Sequence, residues 1–171
     1  MPLGFACAAL FILFARPRPA TLVAGALISF AGIFLRAWAS GHIRKNDALA
    51  VSGPYAYTRN PLYLGSFILG LGFTVGSGRW WLGILFAALF LGIYLPVMRV
   101  ESATLAQLFG KDFQAYAGAV PLFLPRLTPY QSGQTSVGFD RGLYMRYREY
   151  RAALGLLVAW GFLVFKAYYL K

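Results

Sequence analysis

Long apolar stretches alternate with polar ones along this chain of 171 residues. The apolar segments lie at about residues 2–15, 20–39, 61–78, 80–98 and 152–170. A helix needs about 20 mainly apolar residues to cross a bilayer. The pattern therefore predicts an all-α fold, a multi-pass bundle of about five transmembrane helices in one domain over 1–171. The first segment is short for a full span.

Proline and glycine mark where the predicted helices end. The two prolines of ARPRPA predict a tight break before the second segment, and GSGR predicts a short turn that makes the third and fourth segments an antiparallel hairpin. Apolar residues then recur at helical spacing over 101–119, which predicts an amphipathic helix on the membrane surface with a break at Gly110. Residues 131–139 are expected to form a loop.

The composition is that of a membrane protein. The chain is 59% hydrophobic and 12% charged, whereas soluble domains carry about 25% charged residues. Its formal net charge is +11, but the basic residues do not form runs interleaved with aromatic ones, so no nucleic-acid partner is expected. One Cys and one His exclude a Cys/His zinc cluster, and no metal is expected.

The distribution of basic residues predicts the orientation. Most of the sixteen Lys and Arg lie in two polar regions, 40–60 and 99–150. Cytoplasmic loops carry the excess of positive charge in membrane proteins, so both regions are expected in the cytoplasm. We expect a protein of a bacterial inner membrane whose active site faces the cytoplasm.

The stretch GPYAYTRNPLYLG lies against the start of the third apolar segment. Asn60 and Pro61 form a favourable helix start, with Asn60 as the cap. The N-terminus of a helix attracts an anion, and Arg59 adds a guanidinium group. Tyr55 and Tyr63 offer rings that hold a cation or stack on a base. The same residue types also serve as plain anchors at a membrane interface, and the pattern leaves both interpretations open.

Three further polar residues are candidates for a catalytic or binding role. Arg36 and Glu101 lie at the ends of apolar helices, where a charge is costly unless it is paired or used. Glu101 is alternatively a surface partner of Arg99 or Lys45. His42 is a candidate base in the loop that follows the second segment, and a structural histidine is the alternative.

Two separated blocks resemble the isoprenylcysteine carboxyl methyltransferase and phospholipid methyltransferase superfamily of membrane enzymes. SGPYAYTRNPLYLG is similar to the family's G-P-Y-x-x-x-R-H-P-x-Y-x-G, and ESATLAQLFGKDFQAYAGAVPLFLP to E-E-x-x-L-x-x-x-F-G-x-x-Y-x-x-Y-x-x-x-V-P-x-x-x-P. The resemblance covers about residues 30–126, and 127–171 supplies a loop and the last transmembrane helix. Asn60 replaces the usual His, Ser102 the second Glu, and Phe113 the first Tyr after F-G.

The resemblance implies S-adenosylmethionine as methyl donor and a lipophilic acceptor that comes from the bilayer, among membrane lipids, along the predicted hairpin. It implies Glu101 as the functional acid, with Arg99 and Arg59 as the arginines that orient the acceptor. By position, the family's cofactor-binding residues correspond to Asp47, Ala48, Leu49, Ala50, Gly53, Pro54, Tyr55, Asn60, Pro61, Leu62 and Tyr63.

The acceptor and the class of protein have alternatives. The acceptor is a prenylated carboxylate, a lipid amine or another hydrophobic molecule. If the acceptor is an amine, Glu101 or Asp47 is the expected base. The alternative from another class is a non-enzymatic membrane protein that binds lipids or partners through 99–150. Saturable binding of S-adenosylmethionine discriminates between the two classes.

Overall fold

The computed structural model describes residues 10–44 except 12, 48–131 and 138–169. The regular structure in these ranges is helical and contains no strand, which confirms the all-α prediction. Most of the first apolar segment lies outside the described residues. The helices are α1 (Pro19–Ser40), α2 (Pro61–Gly76), α3 (Trp80–Ala119), α4 (Arg141–Arg146) and α5 (Tyr150–Tyr169), with a 3₁₀ helix at Gly53–Ala56.

Three of these helices, α1, α3 and α5, are long and apolar enough to cross a membrane. The apolar helix α2 has 16 residues, a length of about 24 Å, whereas the hydrocarbon core of a bilayer is about 30 Å thick. The described part of the chain is therefore a helical membrane bundle, as predicted, but α2 is shorter than the full span expected at 61–78.

Small residues let α1 and α2 approach each other closely. A Cβ added to Gly65 would lie 2.8 Å from the carbonyl oxygen of Gly32 and 2.7 Å from Cγ of Arg36. The Ser29 hydroxyl donates a hydrogen bond of 3.1 Å to the carbonyl oxygen of Leu69. Such packing is the usual way in which helices associate among lipids. It places Arg36 of α1 beside the first two turns of α2.

The predicted hairpin of α2 and α3 is confirmed. Its turn contains Gly78, whose φ of +68° favours glycine. Aromatic side chains fill the space between the two helices: the Phe67 ring lies 5.7 Å from that of Phe86 and 5.3 Å from that of Phe90. This pair of helices places the start of α2 opposite the middle of α3.

α3 extends over 40 residues in two helical parts joined at Gly110, and no break separates the fourth apolar segment from the predicted amphipathic helix. It continues through Pro96, which transmembrane helices tolerate, into the predicted amphipathic helix. The break at Gly110 is confirmed, since its φ is 51° and its ψ −121°. Beyond this kink, Phe113 and Tyr116 are buried and pack with Leu49. The kink thus turns the end of α3 toward the loop that precedes α2.

The segment 120–130 lies alongside the GPYAYTRN stretch. Backbone hydrogen bonds run from the nitrogens of Arg59, Arg126 and Tyr130 to the oxygens of Pro121, Tyr57 and Ala56, over 3.0, 2.9 and 2.9 Å. The two blocks that carry the family resemblance are therefore held together as one body at one end of the bundle.

α5 is attached to the bundle at two separate places. Near its middle, the Trp160 ring stacks on that of Phe73 at 5.4 Å, and Leu163 packs with Leu22. At its start, the preceding residue Glu149 forms an ion pair with α1. Most of the α5 surface is exposed in the described chain, as expected for a helix that faces lipid.

Candidate functional site

A cavity of about 490 Å³ lies where the two blocks meet. We call it the main cavity. Its volume falls in the range of small-molecule sites, about 300–1,000 Å³. The charged and aromatic residues that line it are Arg36, Arg44, Arg59, Glu101, Tyr55, Tyr63, Tyr94, Phe113 and Tyr116. Its wall thus comes from the end of α1, the loop before α2, the start of α2 and the part of α3 from Tyr94 onward.

A hydrogen bond links α2 to α3 across the main cavity. The Tyr63 hydroxyl donates to Oε1 of Glu101 over 2.9 Å, and the Tyr63 ring lies 5.3 Å from that of Tyr94. Glu101 forms no ion pair with Arg99, and Lys45 lies outside the described residues. Among the residues described, Glu101 is the single carboxylate in the cavity wall.

Arg99 does not line the main cavity. An α-helix turns about 100° per residue, so Arg99 and Glu101 lie about 200° apart around α3. The expected pairing of these two residues around one acceptor is therefore not seen. Arg59, the other predicted arginine, does line the cavity.

α2 begins at Pro61 with Asn60 at the cap position, as predicted, but the expected capping hydrogen bond is not formed. Asn60 occupies the position before the helix, and its side chain makes no capping hydrogen bond. Its Nδ2 instead donates to the carbonyl oxygen of Leu122 over 2.9 Å. The Thr58 hydroxyl similarly donates to the carbonyl oxygen of Phe123 over 2.9 Å. These side chains fix the helix start to the segment that follows α3.

Tyr55 places an unpaired hydroxyl group in the cavity wall. Its side chain is 6% exposed, and its hydroxyl has no hydrogen-bond partner among the described residues. Burial raises the pKa of the Tyr55 phenol above its ordinary value, so the group is neutral. The Tyr55 backbone is held by Tyr116, whose hydroxyl donates to its carbonyl oxygen over 2.8 Å. A buried donor without a protein partner requires a bound one, which a ligand atom or a water molecule supplies.

Arg59 offers an unpaired cationic donor. Its Nε is buried and has no partner among the described residues, and its Cζ lies 6.0 Å from the centroid of the Phe113 ring. Burial lowers the pKa of Arg59. A guanidinium group is so basic that it stays charged at neutral pH nonetheless. Arg59 is therefore suited to bind an anionic group that enters the cavity.

The predicted cofactor-binding residues divide into three groups. Those that line the main cavity are Ala48, Leu49, Ala50, Tyr55, Asn60, Leu62 and Tyr63. Gly53, Pro54 and Pro61 are not part of its wall, and the two prolines are buried. Asp47 lies outside the described residues.

Gly53 and His42 pack against each other outside the main cavity. Gly53 has a φ of +59°, and a Cβ there would lie 2.6 Å from Nε2 of His42. The other ring nitrogen of His42, Nδ1, lies 2.9 Å from the carbonyl oxygen of Trp38. The imidazole is buried. This arrangement fits the structural alternative for His42 and explains the glycine of the GPY motif.

Arg36 forms an ion pair that sequence reasoning did not identify. Its Nε and Nη2 donate to Oε2 of Glu149 over 3.1 and 2.8 Å, while Nη1 donates to the carbonyl oxygen of Leu62 over 3.3 Å and to the Ser66 hydroxyl. The partners are 113 residues apart. The available signal was a single acid placed directly before the last apolar segment.

The main cavity therefore combines two chemical characters. Tyrosine rings and the Glu101 carboxylate attract a cation, and the guanidinium groups attract an anion. In the described ranges, no three His, Cys, Asp or Glu side chains form a group that fits a metal ion.

The known proteins that are similar to this chain include two metal resistance proteins and one methyltransferase. The cobalt-zinc-cadmium resistance protein CzcN of Cupriavidus metallidurans is 38% identical over 104 residues, 58% of this chain and 47% of that protein. The nickel-cobalt-cadmium resistance protein NccN of Alcaligenes xylosoxydans xylosoxydans is 36% identical over 104 residues, which again are 58% of this chain and 47% of that protein. The protein-S-isoprenylcysteine O-methyltransferase of Schizosaccharomyces pombe is 32% identical over 81 residues, 47% of this chain and 34% of that protein.

The matched region has defined limits. The chain spans about half the length of the two resistance proteins, and no solved structure matches it. Residues 20–112, more than half of the chain, match the phospholipid methyltransferase family. They include α1, α2, most of α3 and the greater part of the main-cavity wall. The chain belongs to the phospholipid methyltransferase family.

Proposed function

We propose that this protein transfers a methyl group from S-adenosylmethionine to a lipophilic acceptor at the cytoplasmic face of a bacterial inner membrane. The observation that carries this proposal is the main cavity, in which the Tyr63–Glu101 hydrogen bond connects the two blocks. Membership of the phospholipid methyltransferase family supports it, as does the similarity to the S. pombe methyltransferase.

The residues of the main cavity fit the groups of S-adenosylmethionine. The faces of Tyr63 and Tyr94, with Glu101 beside them, suit its sulfonium cation. The unpaired Nε of Arg59 suits its carboxylate. The unpaired hydroxyl of Tyr55 suits a polar atom of its adenosine. When bound, S-adenosylmethionine supplies a methyl group on a positively charged sulfur, which the lone pair of the acceptor displaces.

The protein contributes mainly position and charge. Methyl transfer is an in-line displacement, and holding two reactants in line supplies a large part of the acceleration. Tyr63 orients Glu101, which accepts a proton if the acceptor is an amine. A carboxylate acceptor is already nucleophilic and needs a guanidinium group to orient it.

Calorimetry on purified protein in detergent tests the proposal. S-adenosylmethionine should bind saturably to the wild type, more weakly to Arg59→Gln and Tyr55→Phe, and unchanged to Arg141→Gln, a matched arginine on the exposed start of α4. No saturable binding by folded wild-type protein would overturn it. The chain would then be interpreted as a membrane protein that binds lipids or partners without catalysis.

A contribution to metal resistance is a second candidate, favoured by the 38% identity to CzcN. A strain that lacks the gene should grow poorly in cobalt, zinc or cadmium and recover when the wild-type gene is restored. The Glu101→Gln variant decides whether this role depends on the site. Full recovery with that variant would separate resistance from methyl transfer.

A further inference from the structure

A second cavity, of about 300 Å³, lies between α2 and α5. We call it the side crevice. Positions 66, 69 and 73 of α2 and 152, 155 and 156 of α5 follow helical spacing, so each set lies on one face of its helix. The crevice therefore runs for about 10 Å along α2 and about 6 Å along α5. Its lining residues are Arg36, Ser66, Leu69, Phe73, Ala152, Gly155 and Leu156.

The side crevice meets the main cavity at two side chains. Arg36 and Ser66 line both spaces, and they are hydrogen-bonded to each other. They are also the two polar residues of the crevice wall, in which the other described residues are apolar or glycine. The crevice is thus apolar along its length and charged at its junction with the main cavity.

The two ends of the side crevice differ in chemistry. Phe73 lines its far end and stacks on Trp160 at 5.4 Å. At the junction, Arg36 is paired with Glu149. α5 is therefore held against the bundle at both ends of the side crevice. The part of α5 between these two contacts leaves the space open. This shape matches one hydrocarbon chain with a polar end.

The packing of the α2–α3 hairpin favours an acceptor site beside α5. From the sequence, the acceptor was expected to lie along the hairpin instead. The space between α2 and α3 is occupied by the rings of Phe67, Phe86 and Phe90. Side chains of the described residues do not fill the groove between α2 and α5, which is open along one side. A lipophilic molecule therefore has room beside α5 and not within the hairpin.

We propose that the side crevice binds the apolar chain of an anionic methyl acceptor, whose charged group contacts Arg36 and whose reactive end lies in the main cavity. The proposal rests on the proposed function. The apolar wall suits a hydrocarbon chain because burial removes its surface from water. The acceptor's anionic group displaces Glu149 from one edge of the Arg36 guanidinium, and the released Glu149 carboxylate, directly before α5, must then be solvated by water in place of Arg36.

Two glycines of α5 give a matched pair of variants. A Cβ added to Gly155 or to Gly161 would meet no atom within 4 Å. Leucine at either position therefore causes no backbone clash, but only position 155 lies in the wall of the side crevice. Gly155→Leu fills the crevice, and Gly161→Leu controls for the added apolar side chain.

The experiment uses palmitic acid with a photoreactive diazirine in its chain, added to the protein in phosphatidylcholine nanodiscs. After illumination, labelled peptides are identified by mass spectrometry. Label should concentrate on 66–73 and 152–156 in the wild type and in Gly161→Leu, and most of it should be lost in Gly155→Leu. Even labelling of all lipid-facing surfaces, or full labelling of Gly155→Leu, would overturn the proposal.

Two further measurements separate the parts of the proposal. Arg36→Gln should lower labelling by the acid but not by the matching long-chain alcohol, and an equal loss of both would overturn the role of Arg36. Calorimetry with S-adenosylmethionine is run on the same nanodiscs. Donor binding without crevice labelling overturns this inference alone, whereas crevice labelling without donor binding overturns the acceptor role together with the proposed function.

Discussion

The Tyr63 hydroxyl donates a hydrogen bond of 2.9 Å to Oε1 of Glu101, and this bond joins the first turn of α2 to the middle of α3. The two residues belong to different blocks of the sequence. Glu101 lies at the exposed mouth of the main cavity, where a free carboxylate would adopt several rotamers. Tyr63 therefore selects the orientation in which Glu101 faces the cavity.

Tyr63→Phe tests this relationship because it removes the hydroxyl and keeps the ring. A hydrogen bond to a charged group contributes about 1.5 kcal/mol at the lower end of its range, which suits an exposed carboxylate. We therefore expect transfer of labelled methyl groups to a lipid extract to slow about tenfold, with little change in donor binding by calorimetry. Tyr169→Phe, on the exposed end of α5, is the control. An unchanged rate in Tyr63→Phe would show that Glu101 needs no such orientation.

Glu101→Gln removes the negative charge and retains an oxygen that accepts the Tyr63 bond. Methyl transfer should be abolished, because the amide neither accepts a proton nor stabilises a cation. The thermal unfolding midpoint should stay close to that of the wild type, since Glu101 is exposed. Wild-type activity in this variant would remove Glu101 from the proposed mechanism.

The contributions of Arg36 and Glu149 to the free energy of unfolding should depend on each other. The side chains are 22% and 13% exposed, so removal of one partner leaves a poorly solvated charge. Arg36→Met and Glu149→Leu should each destabilise the protein, and the double variant should be more stable than the sum predicts, by about 1–3 kcal/mol. Denaturant unfolding in detergent measures the cycle. Additive effects of the two substitutions would show that the pair is not coupled.

Local patterns were sufficient to predict the helices. The second apolar segment was expected at 20–39 and is helical over Pro19–Ser40, and the last was expected at 152–170 and is helical over Tyr150–Tyr169. Hydropathy predicts such elements because each transmembrane helix satisfies its own backbone hydrogen bonds. Gly110 was also found locally, since a glycine within an amphipathic pattern marks a position that tolerates a positive φ.

Contacts between distant residues could not be predicted in this way. Asn60 has the sequence context of a helix cap, but its amide reaches Leu122, which is 62 residues away. Arg36 looked unpaired because its partner Glu149 precedes a different apolar segment. The side crevice depends on how α5 lies against α2, and no local pattern specifies that arrangement.

Gly53→Ala should destabilise the protein. The residue has a φ of +59°, and the added Cβ would lie 2.6 Å from the His42 ring. Alanine at a positive φ is strained, and strained backbone costs about 1–3 kcal/mol. Gly118→Ala is the matched control, because its Cβ meets nothing within 4 Å and alanine favours helix. Thermal unfolding in detergent compares them, and equal midpoints for the two variants would contradict the strain.

Tyr55 should make the protein less stable as the pH rises into the alkaline range. Burial, and to a smaller extent the neighbouring Tyr116, raises the pKa of Tyr55 in the folded state, whereas a tyrosine in the unfolded chain has a pKa of about 10. Above that value the unfolded chain releases a proton that the folded protein retains. The free energy of unfolding is therefore fully maintained below about pH 10 and decreases as the pH rises further.

Tyr55→Phe should remove this part of the dependence. Between pH 10 and the raised pKa, the free energy of unfolding of the wild type should decrease more steeply than that of the variant, and the difference in slope should approach about 1.4 kcal/mol per pH unit, the value for one whole proton. Denaturant unfolding at pH 9, 10 and 11 measures both slopes, and Tyr168→Phe, at an exposed position of α5, should retain the wild-type slope. Equal slopes for the wild type and Tyr55→Phe would show that Tyr55 ionises in the folded protein as readily as in the unfolded chain. Its hydroxyl would then be accessible to water and not a buried donor held for a ligand.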